Sequence, residues 1–262
     1  VVTPIGIDHA NYLGTDILDI ANEKAGIIKP GGRVVIGEQE DSVLEVLVRR
    51  AAEVGAPIAV AGRDFGVESR LAAVGGQQFT IQGLSGRYED ILLPLHGEFQ
   101  AHNAAIALAA VESLTGGREL SIDAVREGFG AVTSPGRLEV VRRSPTVIVD
   151  AAHNPHGVRA MVDAITSEFT FSPLVGVVGI MADKEAEEIL HILEPVLAHI
   201  ICTQNSTERS LPAGDLAEMA ADIFGANRVT RADRLDDALE QAIILADASG
   251  EHFLPNGVVF AP

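Results

Sequence analysis

The chain has 262 residues, which is enough for one large domain or two of ordinary size. Hydrophobic residues make up 47% and charged residues 21%, which excludes a disordered chain, and the aromatic share of only 4% requires an aliphatic core. The formal charge of −18 argues against nucleic acid as a partner, because such a surface repels phosphates.

The single cysteine, Cys202, excludes an internal disulfide and a cysteine-built metal site, and it fits a reducing compartment. No apolar run reaches the roughly 18 residues needed to cross a bilayer. The first residues, VVTPIGIDH, contain neither a basic segment nor an apolar signal core. We therefore expect a cytoplasmic protein with no membrane partner.

The first part of the chain is predicted to alternate helices and strands. An extended segment at 1–5 and a loop with Asp8 and His9 precede a helix at 16–25, a strand at 33–37, a helix at 42–55 and a strand at 57–61. This β-α-β order predicts a parallel sheet. Short runs separated by glycines between 64 and 97 predict small antiparallel strands. Helices at 101–114 and 121–129 follow, the second with Ser121 as its N-cap.

The turn Ser134-Pro135-Gly136 is the predicted domain boundary, because the strand-helix alternation restarts beyond it. Strands are expected at 146–149, 174–180 and 199–203, and helices at 155–168, 185–197, 212–224 and 235–248. This order predicts an open α/β sheet, Rossmann-like in outline. The tail, FLPNGVVFAP, is read as stopping short of a last strand.

Ligands of open α/β sheets bind beyond the carboxyl ends of the strands, so polar clusters there are the candidate sites. In GIDHANYLG and the EKAGIIKPG that follows, His9 lies in a loop and Lys24 on a helix. Taken alone, His9 would be structural and Lys24 would complement a helix dipole. In HGEFQAHNAAIALAA, His102 and Asn103 stand at the start of a helix. Asn103 either caps that helix or offers its amide to a purine edge.

Two further clusters lie near the predicted boundary. In SPGRLEVV, Arg137 could bind phosphate oxygens through its guanidinium or form a surface salt bridge. In VIVDAAHNPHG, Asp150 ends an apolar strand and suits hydrogen bonds to ribose hydroxyls, and His153, Asn154 and His156 surround a helix N-terminus that attracts phosphate. Apolar packing does not require these residues, which favours a functional role. Weaker clusters follow at 183–184 and 204–209.

Five stretches, in this order, resemble the folylpolyglutamate synthase branch of the Mur ligases: TPIGIDH, EKAGIIKPG, AHNAAIALAA, SPGRLEVV and VDAAHNPHG. The resemblance implies an α/β fold with the C-terminal part of a P-loop-type central (ATPase) domain at 1–134 and a Rossmann-like C-terminal domain at 135–262. It also implies an ATP-dependent amide ligase. ATP would phosphorylate a carboxylate of dihydropteroate or a folate, and the amine of L-glutamate would attack the acyl phosphate.

The resemblance also implies the site and its ligands. The expected ligands are ATP, Mg²⁺, L-glutamate and dihydropteroate or a folate, bound by a monomer. The residues that match are His9 as a metal ligand, Lys24 (carbamylated) and His153 as catalytic residues, and Asn103, Arg137 and Asp150 as ATP-binding residues.

The sequence departs from the family pattern in one respect. The phosphate-binding loop G-T-N-G-K-[ST] and the magnesium-binding Glu downstream of it do not occur in these residues. We therefore expect the C-terminal two-thirds of a longer enzyme, inactive alone. Two alternatives stay open: another Mur-type ligase, acting on a peptidoglycan precursor, and a non-catalytic nucleotide-binding module.

Overall fold

Helices and strands alternate along most of the chain in a computed structural model that describes residues 1–6, 16–248 and 257–261. The mixture of helices with parallel and antiparallel strands confirms the predicted α/β class. The chain divides into a first unit, Val1–Thr133, and a second unit, Ser134–Pro262. Among the described helices, none is both long and apolar enough to span a membrane.

The first unit begins with a small parallel β/α arrangement. Helix α1 (Ile17–Ala25) is capped by Asp16, whose carboxylate accepts a hydrogen bond from the Leu18 amide at 2.8 Å. Strand β1 (Val34–Ile36), helix α2 (Asp41–Val54) and strand β2 (Ile58–Val60) follow, and β1 pairs in parallel with β2. Gly55, with φ of 68°, ends α2 in the left-handed conformation that glycine adopts without strain. These elements agree with the prediction to within one or two residues.

An antiparallel sheet and two helices complete the first unit, as the glycine-separated runs predict. The strands are β3 (Gly66–Ala73), β4 (Gly76–Gln82) and β5 (Arg87–Leu93), and the helices are α3 (Glu98–Leu114) and α4 (Ile122–Gly130). Helix α3 contacts β3 and β4, and α4 contacts β5. Ser121 occupies the N-cap of α4, but its side chain makes no capping hydrogen bond.

The described strands of the second unit form a six-stranded sheet in the order β10-β9-β8-β11-β7-β6. All pair in parallel except β6, which is antiparallel to β7. The elements are β6 (Glu139–Arg143), β7 (Thr146–Val149), α5 (Pro155–Glu168), β8 (Leu174–Val178), α6 (Ala186–Leu193), β9 (His199–Cys202), α7 (Ala213–Phe224), β10 (Val229–Arg231), α8 (Leu235–Ala248) and β11 (Gly257–Ala261).

The core of the second unit is aliphatic, as its composition requires. Ala238, Ala242 and Ala246 recur every four residues on α8, so they share one face, which joins a core cluster with Val175 and Val177 of β8. The expectation that the chain lacks a last strand is wrong: Gly257–Ala261 forms β11, which lies between β7 and β8. Strands β6 and β10 were not predicted either.

Candidate functional site

The carboxyl end of β7 brings together three of the predicted site residues, Arg137, Asp150 and His153. Strand β7 ends at Val149, and its antiparallel partner β6 begins opposite, with Glu139 paired to Val149. The loop before β6 and the segment after β7 therefore meet at the same end of these two strands.

The loop that carries Arg137 is a tight turn. The Arg137 amide donates to the Ser134 carbonyl at 3.1 Å, and the Gly136 carbonyl accepts from the Ala151 amide at 2.8 Å. Gly136 has φ of 69°, and Leu138, a buried residue, has φ of 47°. Arg137 itself is exposed, so its guanidinium is open to a ligand.

Asp150 is buried immediately behind this loop, with 2% of its surface exposed. Its Oδ2 accepts from the Leu138 amide at 2.9 Å, and its Oδ1 accepts from the Ala152 amide at 2.8 Å. Burial raises the pKa of Asp150 above its ordinary value, while both hydrogen bonds and the nearby Arg137 charge act to lower it. The carboxylate thus joins the loop to the chain beyond β7.

His153 is exposed where the chain enters α5. Its Nδ1 lies 3.0 Å from the Ala151 carbonyl oxygen. Because a carbonyl oxygen only accepts hydrogen bonds, Nδ1 is the donor in this contact, and Nε2 is the other ring nitrogen. Asn154 caps α5, its Oδ1 accepting from the Gly157 amide at 2.7 Å, and Pro155 opens the helix.

The weaker clusters beyond β8 and β9 have a structural explanation. The Arg209 guanidinium donates to both carboxylate oxygens of Asp183 at 3.1 Å, which lowers the pKa of Asp183.

The Thr203 hydroxyl, just after β9, is the one buried side-chain polar atom among the described residues without a hydrogen-bond partner.

Asn103 lies on α3 of the first unit, but not at its start. The helix begins at Glu98 with Gly97 as N-cap, so the interpretation of Asn103 as a cap is wrong. Asn103 is exposed in the second turn, and its Nδ2 donates to Oε1 of Gln100 at 3.3 Å. The amide is therefore oriented with Oδ1 directed away from Gln100.

Gln77 fixes the start of α3 and was not recognised in the sequence. This fully buried residue of β4 donates through Nε2 to the carbonyls of Leu95 and Gly97, each at 3.0 Å, and its Oε1 accepts from Arg70. The sequence signal for Gln77 is the alternation of inward and outward side chains along β4. This alternation places Gln77 on the same inward face as Phe79 and Ile81.

The remaining two predicted site residues also belong to the first unit. Lys24 is exposed in the last turn of α1, where its charge complements the helix dipole. His9 lies outside the described residues. In the described ranges, His, Cys, Asp and Glu side chains form no group of three that could hold a metal ion.

Comparisons with known proteins agree with the sequence motifs. Residues 136–256 match the family described as Mur ligase, glutamate ligase domain. A dihydrofolate synthase/folylpolyglutamate synthase of Mycobacterium tuberculosis is 47% identical over 275 residues, which cover 99% of this chain and 56% of that protein. A folylpolyglutamate synthase of Lacticaseibacillus casei is 31% identical over 262 residues, covering 98% of this chain and 60% of that protein.

The fold is shared with a solved relative. Folylpolyglutamate synthase of Mycobacterium tuberculosis, in crystal structures complexed with ADP and AMPPCP, superposes with a TM-score of 0.94 at 47% identity, over 99% of this chain and 60% of that one. The chain thus spans less than two thirds of the length of these relatives. Residues 136–256 belong to the Mur ligase, glutamate ligase domain family, and along almost all of its length the chain is similar to folylpolyglutamate and dihydrofolate synthases.

Proposed function

We propose that this chain is the C-terminal part of an ATP-dependent ligase that joins L-glutamate to dihydropteroate, to folates or to both. The observation that carries the proposal is the group at the end of β7: an exposed guanidinium, a buried carboxylate and an imidazole beside the N-terminus of α5. The similarity to folylpolyglutamate and dihydrofolate synthases over nearly the whole chain supports the choice of substrates.

The polar groups of the site suit a nucleotide. Arg137 has a planar donor set that matches phosphate oxygens, and the N-terminus of α5 favours negative charge. In the first unit, taken by itself, Asn103 has an Oδ1 directed away from Gln100 and a second Nδ2 proton, and this acceptor-donor pair complements the N6 and N7 edge of adenine. When bound, ATP supplies the phosphoryl group that activates the carboxylate of the pterin-type substrate.

His153 suits the handling of a proton. The amine of glutamate must lose a proton before it can attack an activated carboxylate. Because Nδ1 of His153 donates to Ala151, its Nε2 is the atom that accepts this proton. The Ala151 contact favours the tautomer in which Nδ1 is the donor.

A magnesium ion is also part of the proposed function. The described residues do not by themselves provide a magnesium site. Mg²⁺ would be bound by His9 and by oxygens of a carbamylated Lys24, since hard cations prefer oxygen ligands. The exposed position of the Lys24 amine is compatible with carbamylation.

The test is ATP-dependent incorporation of labelled glutamate into dihydropteroate and into a folate by the full-length protein. Arg137→Ala should raise the KM for ATP about tenfold or more, because a charge-assisted contact to phosphate is lost. Arg142→Ala is the matched control: this arginine of β6 in the same unit donates to the Ser144 carbonyl and should leave the KM for ATP within about twofold.

Two results would overturn the proposal. Glutamate ligation confined to a peptidoglycan precursor would indicate a different Mur-type ligase, and ATP binding without any ligation would indicate a nucleotide-binding module. The proposal extends to a cytoplasmic monomer with small-molecule ligands only. Light scattering coupled to size-exclusion chromatography tests the monomer.

A further inference from the structure

The loop before β6 contains a backbone conformation that needs an explanation. Leu138 has φ of 47°, in the left-handed region that non-glycine residues seldom occupy, and its side chain is 1% exposed. Such a conformation persists only where the surroundings hold it, and it is found most often at functional sites. Leu138 directly follows Arg137, so the direction of this arginine depends on what holds Leu138.

The contacts that hold the loop come from the segment after β7. The Leu138 amide donates to Oδ2 of Asp150 at 2.9 Å, and the Gly136 carbonyl accepts from Ala151 at 2.8 Å. Arg137 is thus flanked on both sides by residues fastened to positions 150 and 151. No other described side chain accepts a hydrogen bond from the Leu138 amide.

The carboxylate of Asp150 is directed at the protein. It is 2% exposed, and each of its oxygens accepts one backbone N–H. Burying a carboxylate costs the free energy of its hydration. The two hydrogen bonds of Asp150 must therefore stabilise the loop more than a neutral side chain would. A negative charge holds two N–H donors more strongly than a neutral acceptor does.

We propose that Asp150 is a positioning residue for Arg137. Its buried carboxylate holds Leu138 in the left-handed conformation and so sets the direction in which the Arg137 guanidinium leaves the loop. The inference rests on the proposed function, in which Arg137 binds ATP. It assigns to Asp150 an effect on nucleotide affinity that passes through Arg137.

The experiment is a double-mutant cycle in the full-length protein, with ATP affinity measured by calorimetry. Asp150→Asn keeps the shape but turns one oxygen into an amide group that cannot accept from an N–H. Alone it should weaken ATP binding roughly tenfold, the lower end of the effect of a hydrogen bond to a charged group. In the Arg137→Ala background, the same substitution should weaken binding less than about threefold. Equal losses in the two backgrounds would show an independent contact and overturn the proposal.

Hydrogen exchange of the Leu138 amide gives a second measurement that needs no nucleotide. Asp150→Asn should speed this exchange at least about tenfold, the factor that loss of a charge-assisted bond produces. Val175→Ala, a core substitution in β8 of the same unit, is the control and should spare the loop, with no coupling to Arg137.

The two measurements separate the inference from the proposed function. If Arg137→Ala leaves the ATP affinity unchanged, Arg137 does not bind ATP. The proposal that Asp150 acts on ATP through Arg137 is then wrong as well, even if the hydrogen exchange of the Leu138 amide becomes faster in Asp150→Asn. Unchanged exchange of Leu138 in Asp150→Asn overturns the positioning role whatever the affinities show.

Discussion

Replacing Glu112 with glutamine should destabilise the first unit strongly. Glu112 lies on α3 with no exposed surface, and its carboxylate accepts from the amides of Leu84 at 2.6 Å and Ser85 at 3.2 Å and from the Tyr88 hydroxyl at 2.7 Å. The Tyr88 oxygen in turn accepts from the Leu120 amide at 2.9 Å. One carboxylate thus ties the β4–β5 turn and the segment before α4 to α3.

The magnitude follows from counting donors and acceptors. A glutamine offers one acceptor oxygen to three donors, and its amide group would face an N–H. At least one buried donor therefore loses its acceptor, at about 1–3 kcal/mol, and the weaker neutral bonds add to this. We expect the free energy of unfolding of the first unit to fall by about 2–4 kcal/mol.

The assay is urea unfolding followed by hydrogen exchange and mass spectrometry, which reads the two units separately. Cys202, the single cysteine, is buried in the second unit with its pKa raised to about 12, so its alkylation reports opening of that unit as an internal control. Glu127→Gln makes the same chemical change at an exposed position of α4 and should cost less than about 0.5 kcal/mol. If Glu112→Gln unfolds at the same urea concentration as Glu127→Gln, the bridging role assigned to this carboxylate is refuted.

Three other predictions concern single residues. Burial raises the pKa of Tyr88 from 10.0 to about 12, so its contribution to the stability of the first unit is complete below pH 10 and is lost as the pH rises towards 12; Tyr88→Phe should abolish this dependence in alkaline unfolding curves. Asn154→Ala should cost about 1 kcal/mol in thermal unfolding because it removes a helix cap, whereas Ser121→Ala, at an N-cap without a side-chain bond, should cost a few tenths; equal costs would contradict the assignment of the caps. Lys24→Ala in the full-length protein should reduce ligation about 10²–10³-fold, with partial rescue by short-chain carboxylic acids, and full activity without rescue would exclude a required carbamate.

The elements that the sequence predicts well carry their own boundary signals. Helix α5 begins at Pro155 and β7 spans Thr146–Val149, as expected, because Asn154 and Pro155 are local start signals and β7 contains the apolar run 147–149. Strand β6 lacks such a pattern: it is an edge strand with mostly exposed residues, and it forms because β7 offers an unpaired edge. The start of α3 was misjudged for a similar reason, since Gln77 in a distant strand holds Gly97.

Some features of the candidate site could be predicted from the sequence, and others could not. Arg137, Asp150 and His153 could be grouped from sequence, because they flank a strand end where ligands of such sheets bind. The bond from the Leu138 amide to Asp150 could not be predicted, because it depends on the left-handed conformation of Leu138. A leucine in the sequence does not indicate such a conformation. Likewise, no sequence pattern predicts that Nδ1 of His153 faces the Ala151 carbonyl.

The position of β11 has a consequence for how the second unit is made. Its backbone pairs with β7 on one side and β8 on the other, although about eighty residues separate β8 from it in sequence. At roughly 5–20 residues per second, a ribosome needs several seconds to deliver those residues, during which β7 and β8 each have an empty edge. The parallel sheet therefore cannot close from its N-terminal strands outward during translation. Strand pairing of such high sequence separation is slow, and the waiting edges are open to other chains. Pairing of β11 with β7 and β8 therefore follows its release from the ribosome, and the sheet is complete only then.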